Sequence, residues 1–178
     1  MKKIRVILTF LSFMGLQAYS QPLQTVDQVD IEKYMGRWYD IASYPARFLK
    51  ECRCTTADYE IIPGKKFIRV TNRCIRFKND RSEIITARGK AFVVKGSKNT
   101  KLKVQFFWPF RGDYYIIGLA EDYSWAIVGH PTRKYLWILS RDSFVPTHTY
   151  NFILKVIGEQ GYDVNRLVKT PQNCDSAK

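Results

Sequence analysis

The sequence predicts an all-β fold: an eight-stranded antiparallel up-and-down β-barrel with one C-terminal α-helix packed on its outside. Three observations support this prediction. Apolar and polar side chains alternate in short segments, polar turn sequences separate these segments, and one later segment has helical periodicity. A barrel of eight strands is just wide enough to enclose one small ligand.

Alternation identifies the strands. Between Phe67 and Cys74, every second residue is apolar or uncharged, and arginine or threonine occupies the positions between. Between Lys101 and Phe107, apolar residues again alternate with lysine and glutamine, which is typical of a strand with one buried face. The eight predicted strands cover residues 36–44, 54–62, 66–76, 83–94, 101–108, 113–120, 124–130 and 135–141.

A single helix is predicted after the last strand. Its apolar residues recur with the spacing of one helical face: Tyr150, Ile153, Leu154 and Ile157. Pro146 and Thr147 suit its start and Gly161 its end. Leu136 and Ile138 are apolar on the outward face of the last strand, so we expect the helix to cover them.

Residues 1–20 have the features of a signal peptide. Lys2, Lys3 and Arg5 precede an apolar run over residues 6–16, and small residues precede Gln21, where we expect cleavage. The apolar run is too short for a membrane span. Residues 21–178 are then enough for one domain.

The cysteines agree with export. There are four, which suggests two disulfides formed in an oxidising compartment: Cys52, Cys54, Cys74 and Cys174. None lies near the predicted cleavage site, so we expect a soluble secreted or periplasmic protein without a lipid anchor. No second Cys/His pair accompanies Cys52-x-Cys54, so no metal site is predicted.

The chain is strongly basic, with a formal net charge of +13 that falls to 13 − 3 = +10 without the three basic residues of the signal peptide. Such a charge suits nucleic acid, an anionic membrane or anionic small molecules, or it is an ordinary soluble surface. The aromatics are placed as core and the charges are dispersed, which argues against nucleic acid. The two histidines, His130 and His148, lie far from any nucleophile motif, so neither an enzyme nor a cofactor is expected.

Three motifs at characteristic spacing resemble the signature regions of the lipocalins: Gly36-x-Trp38, Asp122-Tyr123 and Arg141. The resemblance extends over nearly the whole predicted mature chain. Within the family the sequence is most similar to bacterial lipocalins and apolipoprotein D, although many bacterial members have an anchoring cysteine that this chain lacks. The segments that carry this similarity are residues 34–39, 103–110 and 135–141.

The resemblance implies a structural role for the signature residues. In an up-and-down barrel, Gly36, Trp38, Asp122, Tyr123 and Arg141 all fall at one end. There Arg141 is expected to lie over the Trp38 indole as a cation–π contact that closes the barrel.

The resemblance also implies a disulfide pairing. Apolipoprotein D-like chains join a cysteine like Cys54 to a C-terminal one like Cys174, which leaves Cys52 with Cys74. Sequence alone does not determine connectivity, and an exchange of partners between Cys52 and Cys54 stays open.

Alternation also predicts the barrel lining. The inward residues are Ala57, Tyr59, Ile68, Val70, Asn72, Ile85, Ala87, Val104, Phe106, Ile116, Gly118, Ala126, Val128, Trp137 and Leu139. The small residues among them leave room for a ligand, and the alternative is a packed core. The predicted ligand contacts are Tyr59, Val70, Asn72, Val104, Phe106, Ile116, Ala126, Val128, Trp137 and Leu139, with Tyr59 and Asn72 as polar groups.

The predicted function is non-enzymatic binding, storage or transport of small hydrophobic ligands, such as fatty acids or lysophospholipids. Basic and aromatic residues of the mouth loops are expected to attract an anionic headgroup: Arg47, Phe48, Arg76, Trp108 and Arg111. The alternative is a membrane-associating or protein-binding module that uses this rim while the cavity is incidental.

Overall fold

The computed structural model describes residues 21–78 and 81–174, and within them eight antiparallel strands close into a barrel. The strands are β1 (Gly36–Ser43), β2 (Cys52–Ile61), β3 (Ile68–Lys78), β4 (Arg81–Val93), β5 (Lys101–Gln105), β6 (Gly112–Leu119), β7 (Trp125–Gly129) and β8 (Leu136–Ser140). Each strand pairs with its neighbour in the chain, and β1 pairs with both β2 and β8. The predicted barrel is confirmed, while the predicted signal peptide lies outside the described residues.

A short helix that the sequence analysis did not predict, α1 (Ile31–Tyr34), precedes β1. The Asp30 side chain caps it by accepting hydrogen bonds from the backbone amides of Glu32 and Lys33, at 3.0 and 3.3 Å. The helix ends on Tyr34, whose carbonyl accepts a 2.9 Å hydrogen bond from the Trp38 indole N–H. This segment fills the base of the barrel, because Tyr34 and Trp38 are both buried there.

The predicted C-terminal helix is α2 (Thr147–Glu159), and it packs on the outside of the barrel. Ile153 and Ile157 are fully buried in one cluster with Leu136 and Ile138 of β8. The helical stripe and the outward face of β8 therefore bury each other, as the periodicity predicts.

A β-bulge in β6 changes one prediction. Pairing with β7 shifts register between Ile116 and Gly118, so that Ile116 joins the inner core while Ile117 joins the outer cluster. Gly118 consequently lies on the outer side, where a Cβ would come within 2.6 Å of the Ile127 side chain. The prediction that Gly118 faces inward is wrong, because strict alternation does not continue through a bulge.

The C-terminal segment completes the barrel wall between β1 and β2. These strands pair directly only from Gly36 to Tyr39. Beyond that point β9 (Val168–Lys169) pairs with β1. The Cys54 amide donates to the Pro171 carbonyl at 2.8 Å, and the Gln172 side chain donates to the carbonyls of Asp40 and Thr55. The segment therefore satisfies backbone groups that the separated strands would leave open.

Two disulfides attach the start of β2 to other parts of the chain. Cys54 bonds to Cys174 across a sequence separation of 120 residues, and Cys52 bonds to Cys74 across 22. In the chain-entropy model, a loop as long as the first stabilises the fold by about 4–5 kcal/mol. The longer bridge attaches the C-terminal segment to the start of β2.

Candidate ligand cavity

A cavity of about 460 Å³ occupies the open half of the barrel. Seven of the ten predicted ligand contacts line it: Tyr59, Val70, Asn72, Val104, Phe106, Trp137 and Leu139. The remaining three, Ile116, Ala126 and Val128, do not line the cavity and are buried in the core with Trp38. Alternation predicts whether a side chain points into the barrel. Its position between the closed and the open end decides whether it packs in the core or lines the cavity.

Aromatic and apolar side chains predominate where the mouth loops line the cavity. Of the five predicted rim residues only Arg111 lines the cavity, together with Leu49, Phe107, Phe110 and Tyr135. Arg47, Arg76 and Trp108 are not among the lining residues, and the Phe48 side chain is outside what the structure describes. Loop position alone therefore does not decide which of these side chains line the cavity.

Two of the basic rim residues, Arg76 and Arg111, make contacts outside the cavity. The Arg111 guanidinium lies 4.2 Å from the centre of the Phe92 ring, and Phe92 follows the inward-facing Ala91, so this contact is on the outer wall. Arg76 lies 3.7 Å from the Glu83 carboxylate. Partial burial lowers the pKa of His130, which also lines the cavity, and so favours the neutral form of its ring.

Three tyrosine hydroxyls meet at the base of the cavity. The Tyr59 hydroxyl donates to that of Tyr114 at 3.0 Å, and the hydroxyls of Tyr34 and Tyr114 lie 2.7 Å apart. Burial raises the pKa of Tyr59 to about 12 and the pKa values of Tyr34 and Tyr114 well above their usual value. All three hydroxyls are therefore protonated at neutral pH and act as hydrogen-bonding groups.

Two buried acceptors at the cavity wall have no hydrogen-bond partner among the described residues: Asp40 Oδ1 and Asn72 Oδ1. Burial raises the pKa of the Asp40 carboxyl to about 7, and hydrogen bonding with Ser43 and Thr170 offsets part of that rise. Asp40 was not among the predicted ligand contacts. It lies two residues after the inward-facing Trp38, so alternation assigns both side chains to the same face.

The signature residues lie at the opposite, closed end. The Arg141 guanidinium lies 3.8 Å from the centre of the Trp38 ring and donates to the carbonyls of Arg37 and Lys33, at 2.8 and 2.7 Å. The Tyr123 hydroxyl accepts a hydrogen bond from the Asp30 amide at 2.8 Å. These contacts tie α1 to the barrel base and take no part in lining the cavity.

Gly36 and Asp122 complete this end. Gly36 has a φ of +91°, which favours glycine, and a Cβ there would lie 3.4 Å from the Arg141 guanidinium. Asp122 accepts a hydrogen bond from the Ser124 amide at 3.0 Å, which shapes the turn between β6 and β7. Both residues therefore help to form the closed end.

Two further observations concern the described residues only. No helix within residues 21–78 and 81–174 is long and apolar enough to cross a membrane. The same residues contain no group of three or more His, Cys, Asp or Glu side chains that could hold a metal ion.

Residues 29–172 match a family model described as a lipocalin-like domain. The chain belongs to the lipocalin family. This lipocalin is 38% identical over 160 residues to temperature-induced lipocalin-1 of Arabidopsis thaliana. The aligned region covers 85% of this chain and 83% of that protein. It is also 33% identical over 173 residues to the outer membrane lipoprotein Blc of Vibrio cholerae, covering 97% of this chain and 99% of that protein.

The expected similarity to apolipoprotein D is also found: the lipocalin is 33% identical over 164 residues to that protein from Macaca fascicularis, covering 87% of this chain and 82% of the other. Among solved structures, it shares its fold with insecticyanin from the tobacco hornworm Manduca sexta. That match has a TM-score of 0.65 at 20% identity and covers 85% of each chain. The lipocalin fold and its cavity support the binding of a small hydrophobic ligand.

Proposed function

We propose that this lipocalin is a non-enzymatic carrier of a long-chain anionic amphiphile, such as a fatty acid or lysophospholipid. The observation that carries the proposal is the 460 Å³ cavity, which apolar and aromatic side chains of five strands line at the open end of the barrel. Each buried methylene contributes about 0.8 kcal/mol, so a chain of about fifteen gains roughly 12 kcal/mol before ordering costs. Long apolar chains are therefore favoured without a dedicated charged anchor in the cavity.

Charge at the open end supports an anionic headgroup. Neither Arg47 nor Arg111 forms an ion pair with a described residue within 4.0 Å, and Arg47 lies two residues from the cavity-lining Leu49. With a formal net charge of +13 on the whole chain, the protein attracts anions generally. A carboxylate or phosphate at the mouth would thus be attracted while its chain occupies the cavity.

Comparison of palmitic acid with hexadecanol tests the headgroup. The two share an apolar chain and differ in charge, so we expect tighter binding of the acid and a loss of this preference as salt is raised. Equal affinities, unaffected by salt, would contradict the proposal for the headgroup. An R47Q/R111Q variant should lose the preference, whereas a K65Q/K155Q variant removes two charges away from the mouth and should retain it.

We also infer export, with cleavage near Gln21 and a mature domain over residues 21–178. The two disulfides support an oxidising compartment, since such bonds are rare where thiols are kept reduced. Intact-mass measurement of protein purified from its own host tests this inference. A retained N-terminus or four free thiols would contradict it, and lipids extracted from the same preparation would identify the ligand.

A second candidate function, membrane association, is favoured by three exposed aromatics between β5 and β6. Phe107, Trp108 and Phe110 are 78%, 87% and 77% exposed. Trp108 borders a groove on the outer wall that also contains Arg69, Arg88 and Lys90. Aromatic side chains beside basic ones suit the interface of an anionic membrane.

Flotation with liposomes tests this second function. Binding is expected to vesicles containing anionic lipid and to be weaker with neutral vesicles. W108S should reduce it, whereas F144S, which removes a 70% exposed aromatic near the closed end, should not. Equal flotation of both variants would count against the aromatic loop as a membrane contact.

A further inference from the structure

The tyrosine cluster at the base of the cavity has three hydroxyl donors but only two hydrogen bonds between its members. Tyr34, Tyr59 and Tyr114 contribute three O–H groups, and two hydrogen bonds connect them. The hydroxyls are protonated at neutral pH, because burial raises the pKa of each. One donor, on Tyr34 or Tyr114, is therefore left without an acceptor among the described hydrogen bonds.

An unused acceptor belongs to the same cavity, which Tyr114 and Asn72 both line. Asn72 Oδ1 is buried and has no partner among the described residues. Val70 of β3 pairs with Tyr59 of β2, so Asn72 is the next inward position toward the mouth. The lower cavity thus presents both a donor and an acceptor, and leaving either unpaired costs free energy.

We propose that Tyr114 and Asn72 form a polar subsite that binds a hydroxyl group of the ligand, and that the preferred ligands are acids whose chain spans the cavity and ends in a hydroxyl. This inference rests on the proposed function. A hydroxyl is a single group that both donates and accepts a hydrogen bond, so it satisfies both side chains. A plain methyl end would leave both unpaired in an apolar environment.

The dimensions of the cavity are compatible with this arrangement. Thr55 and Tyr59 both line the cavity and are four residues apart on β2, which corresponds to roughly 13 Å along the strand. A medium-length chain with a carboxylate at one end and a hydroxyl at the other therefore spans the distance from the mouth to the tyrosines. The charged end stays near the mouth, as the proposed function requires.

Dodecanoic acid and ω-hydroxydodecanoic acid are matched probes, because they differ only in the terminal hydroxyl. Displacement of a fluorescent fatty-acid analogue from the full mature protein measures both affinities. We expect the hydroxy acid to bind at least tenfold more tightly than dodecanoic acid. Y114F and N72L should each abolish most of this preference, measured as the ratio of the two affinities within the same variant.

Y115F is the matched control. It also removes one tyrosine hydroxyl, but Tyr115 packs against the outer cluster and not in the cavity. It should keep the preference of the wild-type protein. Far-UV circular dichroism of Y114F and N72L checks that both variants are folded.

The outcomes separate the subsite from the carrier function. If wild-type protein binds dodecanoic acid as tightly as its hydroxy derivative, the carrier function stands and the subsite is refuted, as it would be if ordered water already satisfied both groups. A preference that survives in both Y114F and N72L also refutes it. If neither acid binds, the proposed function fails and the subsite fails with it.

Discussion

The two ends of the barrel differ in how their polar groups are satisfied. At the closed end, the indole N–H of Trp38 and the guanidinium of Arg141 donate to backbone carbonyls, and the two side chains stack. At the open end, Asp40 and Asn72 each have a buried oxygen with no hydrogen-bond partner among the described residues, beside a cavity. The comparison indicates that the closed end stabilises the fold, which allows the open end to keep the unfilled space that binding requires.

Replacement of Trp38 by Ala is expected to produce the largest effect. The side chain is fully buried and supports the Arg141 contact, so its loss should lower the free energy of unfolding by about 5 kcal/mol. Urea unfolding followed by circular dichroism measures this. A loss below about 1 kcal/mol would refute the assignment of the closed end as the stabilising region.

Asp40 provides a pH-dependent test at the open end. Burial raises the pKa of its carboxyl from 3.8 to about 7 in the folded state, so the folded protein holds this proton more strongly than the unfolded chain. The contribution of Asp40 to stability is therefore greatest below pH 4 and is lost as pH rises through about 7. Between pH values below 4 and above 7, this contribution to the free energy of unfolding changes by on the order of 4 kcal/mol.

D40N should remove this pH dependence and make the protein more stable than wild type at pH 8. Urea unfolding at pH 5 and pH 8 measures both effects, and D58N, at an exposed ion pair, is a suitable control. If wild type and D40N show the same change between the two pH values, Asp40 is not the buried acid described here.

Replacement of Arg141 by Gln sharpens the comparison further. It removes the stacked guanidinium and its two hydrogen bonds to carbonyls, so we expect a loss of about 2 kcal/mol in stability with little change in ligand affinity. R69Q, which breaks an ion pair between two exposed side chains, should cost less than about 1 kcal/mol. A large loss of affinity in R141Q would indicate that the closed end also contributes to binding.

A smaller effect on stability than that of R141Q is expected for W137A. Trp137 is half-buried, stacks on Tyr135 and lines the cavity, so its loss should cost roughly 1 kcal/mol in stability. Because the indole forms part of the binding wall, affinity for palmitic acid should fall about tenfold. Unchanged affinity would exclude this wall from ligand contact.

Local sequence patterns were sufficient to locate the barrel strands and the C-terminal helix and to recognise the family. Period-two alternation located all eight strands to within a few residues at most ends, and the stripe on α2 matched the outer face of β8. These patterns are informative because each strand or helix has one dry face and one wet face, which its own residues must match. The spacing of Gly36-x-Trp38, Asp122-Tyr123 and Arg141 indicated the family for the same reason, since a closed barrel needs these contacts at one end.

The depth of each lining residue was not available from alternation. Ile116 and Val70 have the same inward orientation, yet Ile116 lies in the filled base and Val70 at the cavity. The unpredicted helix α1 contributes to this difference, because its Tyr34 side chain is buried in the base of the barrel, where it joins the tyrosine cluster. The residues that fill a barrel are supplied by distant parts of the chain, which no local pattern describes.

The sequence by itself determined that alternating segments form a barrel, that one amphipathic helix covers its outside, and that the chain is a lipocalin. Only the tertiary structure decided where the cavity lies and that residues 168–172 complete the wall between β1 and β2. It also decided that Asp40 lines the cavity with an Oδ1 that has no partner in the described part of the chain. The physical reason is that periodicity reports the environment of one strand or helix, whereas empty space and unpaired atoms depend on the packing of all of them together.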